Sequence, residues 1–211
     1  MMLRLPCPPR RLACVAAALV ALQALSACAP LVVGGAVMGG LVVVDRRTSG
    51  TQLEDQGIEL KAINRVREVT GGRGHYNITS YNRVALITGE AATDADRAAV
   101  EQAVRQIENV RSLVNEVAVM EASSITSRSG DLVTTGRVKA AFIDANDLQA
   151  TVFKVVTERG VVHLMGRVTE REANRATEVA RTVGGVAKVV KVFDVITEAE
   201  LAKLQPAPAK P

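Results

Sequence analysis

An internal repeat constrains this chain more than any other feature of its sequence. Two pairs of segments match when one residue near position 91 is dropped: residues 84–89 with 161–166, and residues 93–119 with 169–195. The matched positions keep the same residue type at several places, including Val84, Gly89, Thr93, Arg105, Val110 and Val119 of the first copy. A fixed repeat indicates that one supersecondary unit occurs twice. The fold of the chain is therefore expected to be built from two copies of one unit.

Each copy contains two short β-prone runs around a polar turn. Residues 76–80 and 84–88 flank Tyr81-Asn82-Arg83, and residues 151–157 and 161–165 flank Glu158-Arg159-Gly160. Such pairs of runs predict a β-hairpin in each copy. Thr93 and Thr169 then begin an [ST]-x-x-[DE] pattern, in which a threonine hydroxyl and a carboxylate cap each other's backbone amides. A helix is therefore predicted to begin at the same place in both copies.

The remaining elements follow from apolar spacing. Small apolar residues recur every three or four positions in both of these helices, which are expected to end near Asn109 and Gly184-Gly185. Strands over residues 113–120 and 189–196 close the units. A further helical pattern precedes each hairpin, and Gly136 delays the predicted start of the second one to Arg137. The prediction is an α+β fold with two tandem α-β-β-α-β sandwiches, each of two helices on a three-stranded mixed sheet.

The N-terminal segment predicts export and lipidation. Arg4, Arg10 and Arg11 precede an apolar run that ends in Leu25-Ser26-Ala27-Cys28. A basic region, an apolar region and small residues before a cut are typical of a secretory signal peptide, and a cysteine directly after the cut resembles a bacterial lipobox. The run is shorter than the ~20 apolar residues that a membrane helix needs. We therefore expect residues 1–27 to be removed and Cys28 to carry lipid.

Several classes of function are disfavoured by what remains. Removal of residues 1–27 takes away three arginines and no acidic residue, so the formal net charge falls from +4 to +1. It also takes away two cysteines and leaves Cys28 as the only one. Disulfides, thiolate catalysis and cysteine metal sites are therefore excluded, and a nucleic-acid partner is not expected. His75 and His163 occupy non-equivalent positions of the repeat, so no metal site, cofactor or acid–base pair is predicted.

These patterns divide the chain into segments. They are the signal peptide at 1–27, a lipidated tether at 28–52, the two units at 53–121 and 131–197, a linker at 122–130 and a disordered tail at 198–211. Within the tether, Arg46 and Arg47 either belong to a flexible connection, which is the favoured interpretation, or meet lipid headgroups near an anionic surface.

The assembled motifs resemble those of the dual-BON-domain outer-membrane lipoproteins. The resemblance is carried by the lipobox, the two units, Thr51-Gln52-Leu53-Glu54-Asp55, Leu164-Met165-Gly166, the segment Val168-Thr169-Glu170-Arg171-Glu172-Ala173 and Gly185-Val186. It covers nearly the whole mature chain, although the first unit has Asn109-Val110 where the family usually has Gly-Val. The resemblance implies a non-enzymatic protein that is lipid-anchored in the outer membrane of a Gram-negative bacterium and faces the periplasm.

The resemblance also implies that the second unit recognises anionic phospholipid and supports envelope integrity and cell division. Carried onto this chain, the lipid-contacting residues are Val133, Val138 and Ile143, with Arg137 and Lys139 as headgroup partners. The family pattern has an aromatic residue where this chain has Val133.

The formal charges of the two units agree with lipid recognition by the second one. Residues 55–121 carry ten acidic and eight basic side chains, whereas residues 131–197 carry eight acidic and ten basic ones, so the second unit is the better binder of an anionic membrane. The competing interpretation is a periplasmic protein-interaction module that docks an envelope assembly machine or a peptidoglycan enzyme.

Overall fold

Each repeat begins with a long helix that covers one face of a small sheet. The computed structural model describes residues 45–204, so the predictions for the signal peptide, for Cys28 and for residues 205–211 lie outside the described residues. The first repeat comprises α1 (Ser49–Thr70), β1 (His75–Tyr81), β2 (Val84–Ala91), α2 (Asp94–Arg105), β3 (Ser112–Asn115) and β4 (Ala118–Val119). The second comprises α3 (Ile125–Asp144), a 3-10 turn (Ala150–Val152), β5 (Phe153–Glu158), β6 (Val161–Thr169), α4 (Glu170–Arg181) and β7 (Lys188–Ile196), and α5 (Glu198–Leu204) follows it.

The two sheets have the predicted mixed topology. The hairpin strands are antiparallel, β1 with β2 and β5 with β6, and the closing strand of each repeat runs parallel to the second hairpin strand. In the first repeat the closing strand is interrupted at Glu116 and Val117, so that β3 and β4 both pair with β2. The α-β-β-α-β prediction is confirmed, and this interruption gives the first sheet a fourth short strand.

Three predicted boundaries are wrong. The helix α1 begins at Ser49, inside the predicted tether, because the Thr48 hydroxyl caps it. The helix α3 begins at Ile125, inside the predicted linker, because the Ser124 hydroxyl accepts the backbone N–H of Ser127. Residues 198–204 of the predicted disordered tail form α5, which buries Leu201. In each case a local cap or one buried contact extends the ordered chain beyond the apolar pattern.

Each repeat has its own core between helices and sheet. The buried residues of the first core are all aliphatic and centre on Ile58, Ala62 and Val66 of α1 against the sheet and α2. The second core contains the three phenylalanines, with ring centroids 5.1 Å apart for Phe142 and Phe153. Val110 and Val186 occupy equivalent places in the two cores, where both are partly buried.

The two repeats pack together through the sheet faces that are turned away from the helices. A third apolar cluster joins Tyr81, Val84 and Leu86 of the first sheet to Met165 and Val192 of the second. The protein is thus layered as helices, sheet, sheet and helices, with the sheets face to face. Among residues 45–204, no helix combines the length and the apolarity needed to cross a bilayer.

Candidate functional site

The helix α3 separates a buried face from an exposed one. Asp131, Thr134, Val138 and Phe142 follow one another at spacings of three and four and are buried against the second sheet. Phe142 faces inward and is fully buried. Val138 was expected to contact lipid, and this is wrong: it is fully buried, because it lies one turn before Phe142 on the same face. Val138 therefore belongs to the core and leaves the list of lipid-contacting candidates.

The opposite face of α3 presents large apolar side chains to solvent. Val133 and Ile143 are 53% and 69% exposed, as their predicted role requires. Leu132, which the sequence analysis did not identify, is 74% exposed and lies close to three helical turns from Ile143, so the two share a stripe. Leu132 was missed because the helix was predicted to start only at Arg137. A helical projection carried back to Ser124 would have found it.

Basic side chains flank this apolar stripe. Arg137 and Lys139 are both exposed. Within the described part of the chain neither lies within 4.0 Å of a carboxylate oxygen, and the Arg137 guanidinium makes a single 3.4 Å hydrogen bond to the carbonyl of Gly184. Their charges are therefore available to an anion in solution. We call Leu132, Val133, Arg137, Lys139 and Ile143 the α3 outer face.

The corresponding helix of the first repeat is apolar on its outside but balanced in charge. Leu53, Leu60 and Ile63 of α1 are exposed. Two of its three cations have acidic partners: the Lys61 ammonium lies 3.1 Å from a Glu108 carboxylate oxygen, and the Arg65 guanidinium lies 3.3 Å from Glu68. The third, Arg67, is exposed and has no carboxylate oxygen within 4.0 Å among the described residues. With four acidic residues α1 carries a formal charge of −1, whereas α3 carries +1. The repeats therefore differ in the charge that surrounds a similar apolar stripe.

Arg46 and Arg47 do not face outward, so the alternative in which they meet lipid headgroups is wrong. The Arg46 guanidinium donates to both carboxylate oxygens of Glu172, at 2.7 and 2.8 Å, and is almost fully buried. The Arg47 guanidinium donates to Asp55 at 2.8 Å and lies 4.2 Å from the centre of the Tyr81 ring. Residues 45–47 are not a flexible tether either, because Arg46 binds the second repeat and Arg47 binds the first.

The two histidines have different surroundings. His163 is buried between the sheets, neither ring nitrogen has a hydrogen-bond partner among the described residues, and burial lowers the pKa of its imidazole. His75 is partly exposed at the start of β1, directly opposite Glu90 in the sheet register. The structure therefore places only His75 beside a group of carboxylates.

The protein is a tandem α+β domain protein: two α-β-β-α-β domains pack through their sheets, and the first helix of each keeps an exposed apolar face. A family model described as "BON domain" matches residues 60–121 and 130–197. The chain belongs to the BON domain family and contains two copies of the domain. This confirms the family that the sequence motifs indicated.

Similar proteins support the assignment over most of the chain. The outer membrane lipoprotein DolP of Haemophilus influenzae is 33% identical over 188 residues, which are 88% of this chain and 96% of that protein. The 21 kDa hemolysin of Actinobacillus pleuropneumoniae is 32% identical over 155 residues, covering 72% of this chain and 80% of its own length. Osmotically-inducible protein Y of Escherichia coli is 27% identical over 116 residues, covering 54% and 58% of the two chains.

Proposed function

We propose that the protein is a non-enzymatic lipoprotein of the outer membrane, facing the periplasm, whose second BON domain binds anionic phospholipid. Cys28 holds the acyl anchor in this proposal, and the α3 outer face makes the second contact with the bilayer. The proposed role in envelope integrity and cell division rests on the resemblance to dual-BON-domain lipoproteins. The name of the DolP relative supports the location.

One observation carries the lipid proposal: exposed apolar side chains on α3 stand beside cations that have no acidic partner among the described residues. Apolar side chains that enter the headgroup region gain from burial, and each basic residue near an anionic surface contributes ~1 kcal/mol. The paired cations of α1 offer less attraction to the same surface.

Vesicle binding tests the proposal with a chain that begins at Asp45. This start removes the acyl anchor, which would bind any vesicle, and keeps Arg46 in place. Replacing Arg137 and Lys139 by glutamine should weaken binding to vesicles that contain an anionic phospholipid by about 1 to 2 kcal/mol at low salt. Added salt should weaken the unmodified chain in the same direction, because exposed charges are screened.

The matched control is the replacement of Lys61 and Arg65 by glutamine in α1. Because these cations are paired with Glu108 and Glu68, this variant should bind vesicles nearly as the unmodified chain does. Equal losses from the two double variants would contradict a site on α3. Binding that ignores both salt and lipid charge would favour the alternative, a protein-interaction module that docks an envelope assembly machine or a peptidoglycan enzyme.

The lipid anchor has its own test. No cysteine follows Cys28 in the sequence, so Cys28→Ala should abolish acylation and leave a precursor or an unanchored protein. Metabolic labelling with a fatty-acid analogue measures this directly. Incorporation of label into the Cys28→Ala protein would rule out the proposed lipidation site.

A further inference from the structure

A histidine and two glutamates from different repeats converge at one end of the interface between the sheets. His75 and Glu90 are directly opposite each other on β1 and β2, and Glu158 ends β5 in the second sheet. The His75 Nδ1 atom lies 3.3 Å from Glu90 Oε2 and 4.0 Å from Glu158 Oε1. One donor atom from each of the three residues lies within 4.8 Å of both others. Small movements of the side chains would bring all three atoms to one ion.

Both glutamates are buried, and the hydrogen bonding of His75 and Glu158 is incomplete among the described residues. Glu90 is fully buried and Glu158 is 4% exposed. Within residues 45–204 the buried His75 Nδ1 has no hydrogen-bond partner, and the Glu158 carboxylate receives only a 3.4 Å hydrogen bond from Thr88, at Oε2. Glu158 Oε1 therefore points at the His75 ring without a donor. Buried polar atoms are normally hydrogen-bonded, so the unpartnered Nδ1 atom of His75, which faces two carboxylates, is placed to bind an ion that they share.

Neighbouring donors hold the carboxylate of Glu90 from its outer side. The Arg159 guanidinium donates to Glu90 Oε1 at 2.9 Å and to the carbonyl of Gly89 at 2.8 Å. The backbone N–H and the hydroxyl of Ser123 donate to Glu90 Oε2 at 3.3 and 3.1 Å. Hydrogen bonds of this kind orient the carboxylate ligands of metal sites and tune their affinity. They fix Glu90 with Oε2 turned toward His75.

Charge and access also suit a divalent cation. Glu90, Glu158 and the nearby Asp131 carry three formal negative charges, Arg159 offsets one of them and Arg128, which lines the same cavity, a second, so an acidic excess of −1 remains among these five residues. A cavity of about 250 Å³ opens beside the cluster between β1, β5 and the start of α3. His75 and Glu158 both line this cavity, which offers an entry path and room for water in a fourth position.

We propose that His75, Glu90 and Glu158 bind one divalent transition-metal ion, with Zn²⁺ as the best fit, and that this ion ties the two BON domains together. An imidazole nitrogen with two carboxylate oxygens is a ligand set that Zn²⁺ accepts, whereas Ca²⁺ and Mg²⁺ prefer oxygen ligands alone. Because His75 and Glu90 belong to the first domain and Glu158 to the second, the bound ion crosslinks their packed sheets.

Calorimetric titration of the full-length chain in detergent tests this site. The protein is prepared without a histidine tag, stripped with a chelator and titrated with Zn²⁺ and, separately, with Ca²⁺. One Zn²⁺ should bind per chain, and Ca²⁺ should bind far more weakly. His75→Asn and Glu158→Gln should each lower the Zn²⁺ affinity by at least about 100-fold, since changes outside the ligand set already cost 10- to 100-fold.

His163→Asn is the matched control, because it replaces the other histidine of the chain and should leave Zn²⁺ affinity unchanged. Thermal unfolding of the unmodified chain gives a readout that needs no variant: its midpoint should rise with Zn²⁺ concentration as the ion binds the folded state. Absence of saturable Zn²⁺ binding would overturn the proposal. So would Zn²⁺ binding that survives His75→Asn, or Ca²⁺ binding of equal strength.

Discussion

Asp55 and Asp131 hold equivalent positions on the first helices of the two repeats, and each carboxylate accepts both backbone N–H groups of its own hairpin turn. Asp55 accepts those of Asn82 and Arg83, and Asp131 accepts those of Arg159 and Gly160, all at 2.8 Å. The four turn residues have positive φ, the backbone form that suits a two-residue hairpin. A buried aspartate thus fixes the helix to the hairpin in both domains.

This arrangement predicts acid sensitivity through Asp55. Burial alone would raise its pKa, but the hydrogen bonds from Ser80, Arg83, Arg47 and Asn82 outweigh burial and hold the pKa of Asp55 below its ordinary 3.8. The folded state therefore binds fewer protons than the unfolded state, so the stabilisation is present above pH 4 and is lost as the pH falls through the folded pKa. Asp55→Asn should be less stable at pH 7 and should lose stability less steeply between pH 5 and 3.

Urea unfolding at a series of pH values measures that difference. Asp94→Asn is the control, because Asp94 is exposed at the start of α2 and contacts only Arg97 among the described charged groups. Its stability should follow the pH dependence of the unmodified protein. Parallel pH profiles for Asp55→Asn and the unmodified chain would contradict the role of Asp55.

The segment before α1 holds the two domains together through Arg46. Its guanidinium donates to both oxygens of Glu172, to the carbonyl of Arg167 and to the Gln149 side chain, all of which belong to the second domain. Arg46→Ala would leave the buried carboxylate of Glu172 without its cation and should destabilise the protein by about 3 kcal/mol. Urea unfolding of the chain from Asp45 is the measurement, and a chain from Thr48 should lose more stability, because it also lacks Arg47 and its contact with Asp55.

Arg171→Ala is the matched control for Arg46. Arg171 stands beside Glu172 at the start of the same helix but is exposed, and its only acidic contact in the described part of the chain is Glu198 at 3.8 Å. Its removal should change the free energy of unfolding by less than about 1 kcal/mol. A small effect of Arg46→Ala, similar to that of Arg171→Ala, would show that Arg46 does not hold the second domain.

His163 lies where the first repeat has Leu86, and both are buried between the sheets. Burial lowers the pKa of His163, a shift that Glu116 at 3.8 Å opposes and Arg159 reinforces. Because the unfolded chain binds more protons, stability should fall as the pH drops below about 6.5. His163→Leu removes two unsatisfied nitrogens and should raise stability by about 1 to 3 kcal/mol at pH 7, and by more at pH 5.

The reciprocal variant, Leu86→His, provides the comparison for His163→Leu. It places an imidazole at the equivalent position of the first sheet and should destabilise the protein, more so at pH 5 than at pH 7. Thermal unfolding midpoints at the two pH values decide the matter. If His163→Leu lowers the midpoint at both, the imidazole must have polar partners that stabilise it.

The sequence could predict the domains but not the interface between them. The β-prone runs of each hairpin and the capping threonines specify local structure, and the repeat of this pattern predicts the same topology in both units. Glu90 and Glu158 look like ordinary strand-end charges in the sequence, because their burial arises only when the two sheets meet. Arg46 was missed for the same reason: its partner Glu172 is distant in sequence and already belongs to a recognised capping box.

Val138 lies on the buried face of α3 and Val133 on its exposed face, so their replacement by alanine should affect different properties of the protein. Val138→Ala removes two buried methyl groups and should cost about 2 kcal/mol of unfolding free energy, while the folded protein binds anionic vesicles as before. Val133→Ala should change stability by less than about 0.5 kcal/mol, because the side chain is exposed, and should weaken vesicle binding. Urea unfolding and vesicle flotation on the same preparations compare the two. The opposite pattern, with Val138→Ala stable but poor at binding, would mean that α3 turns its other face to the membrane.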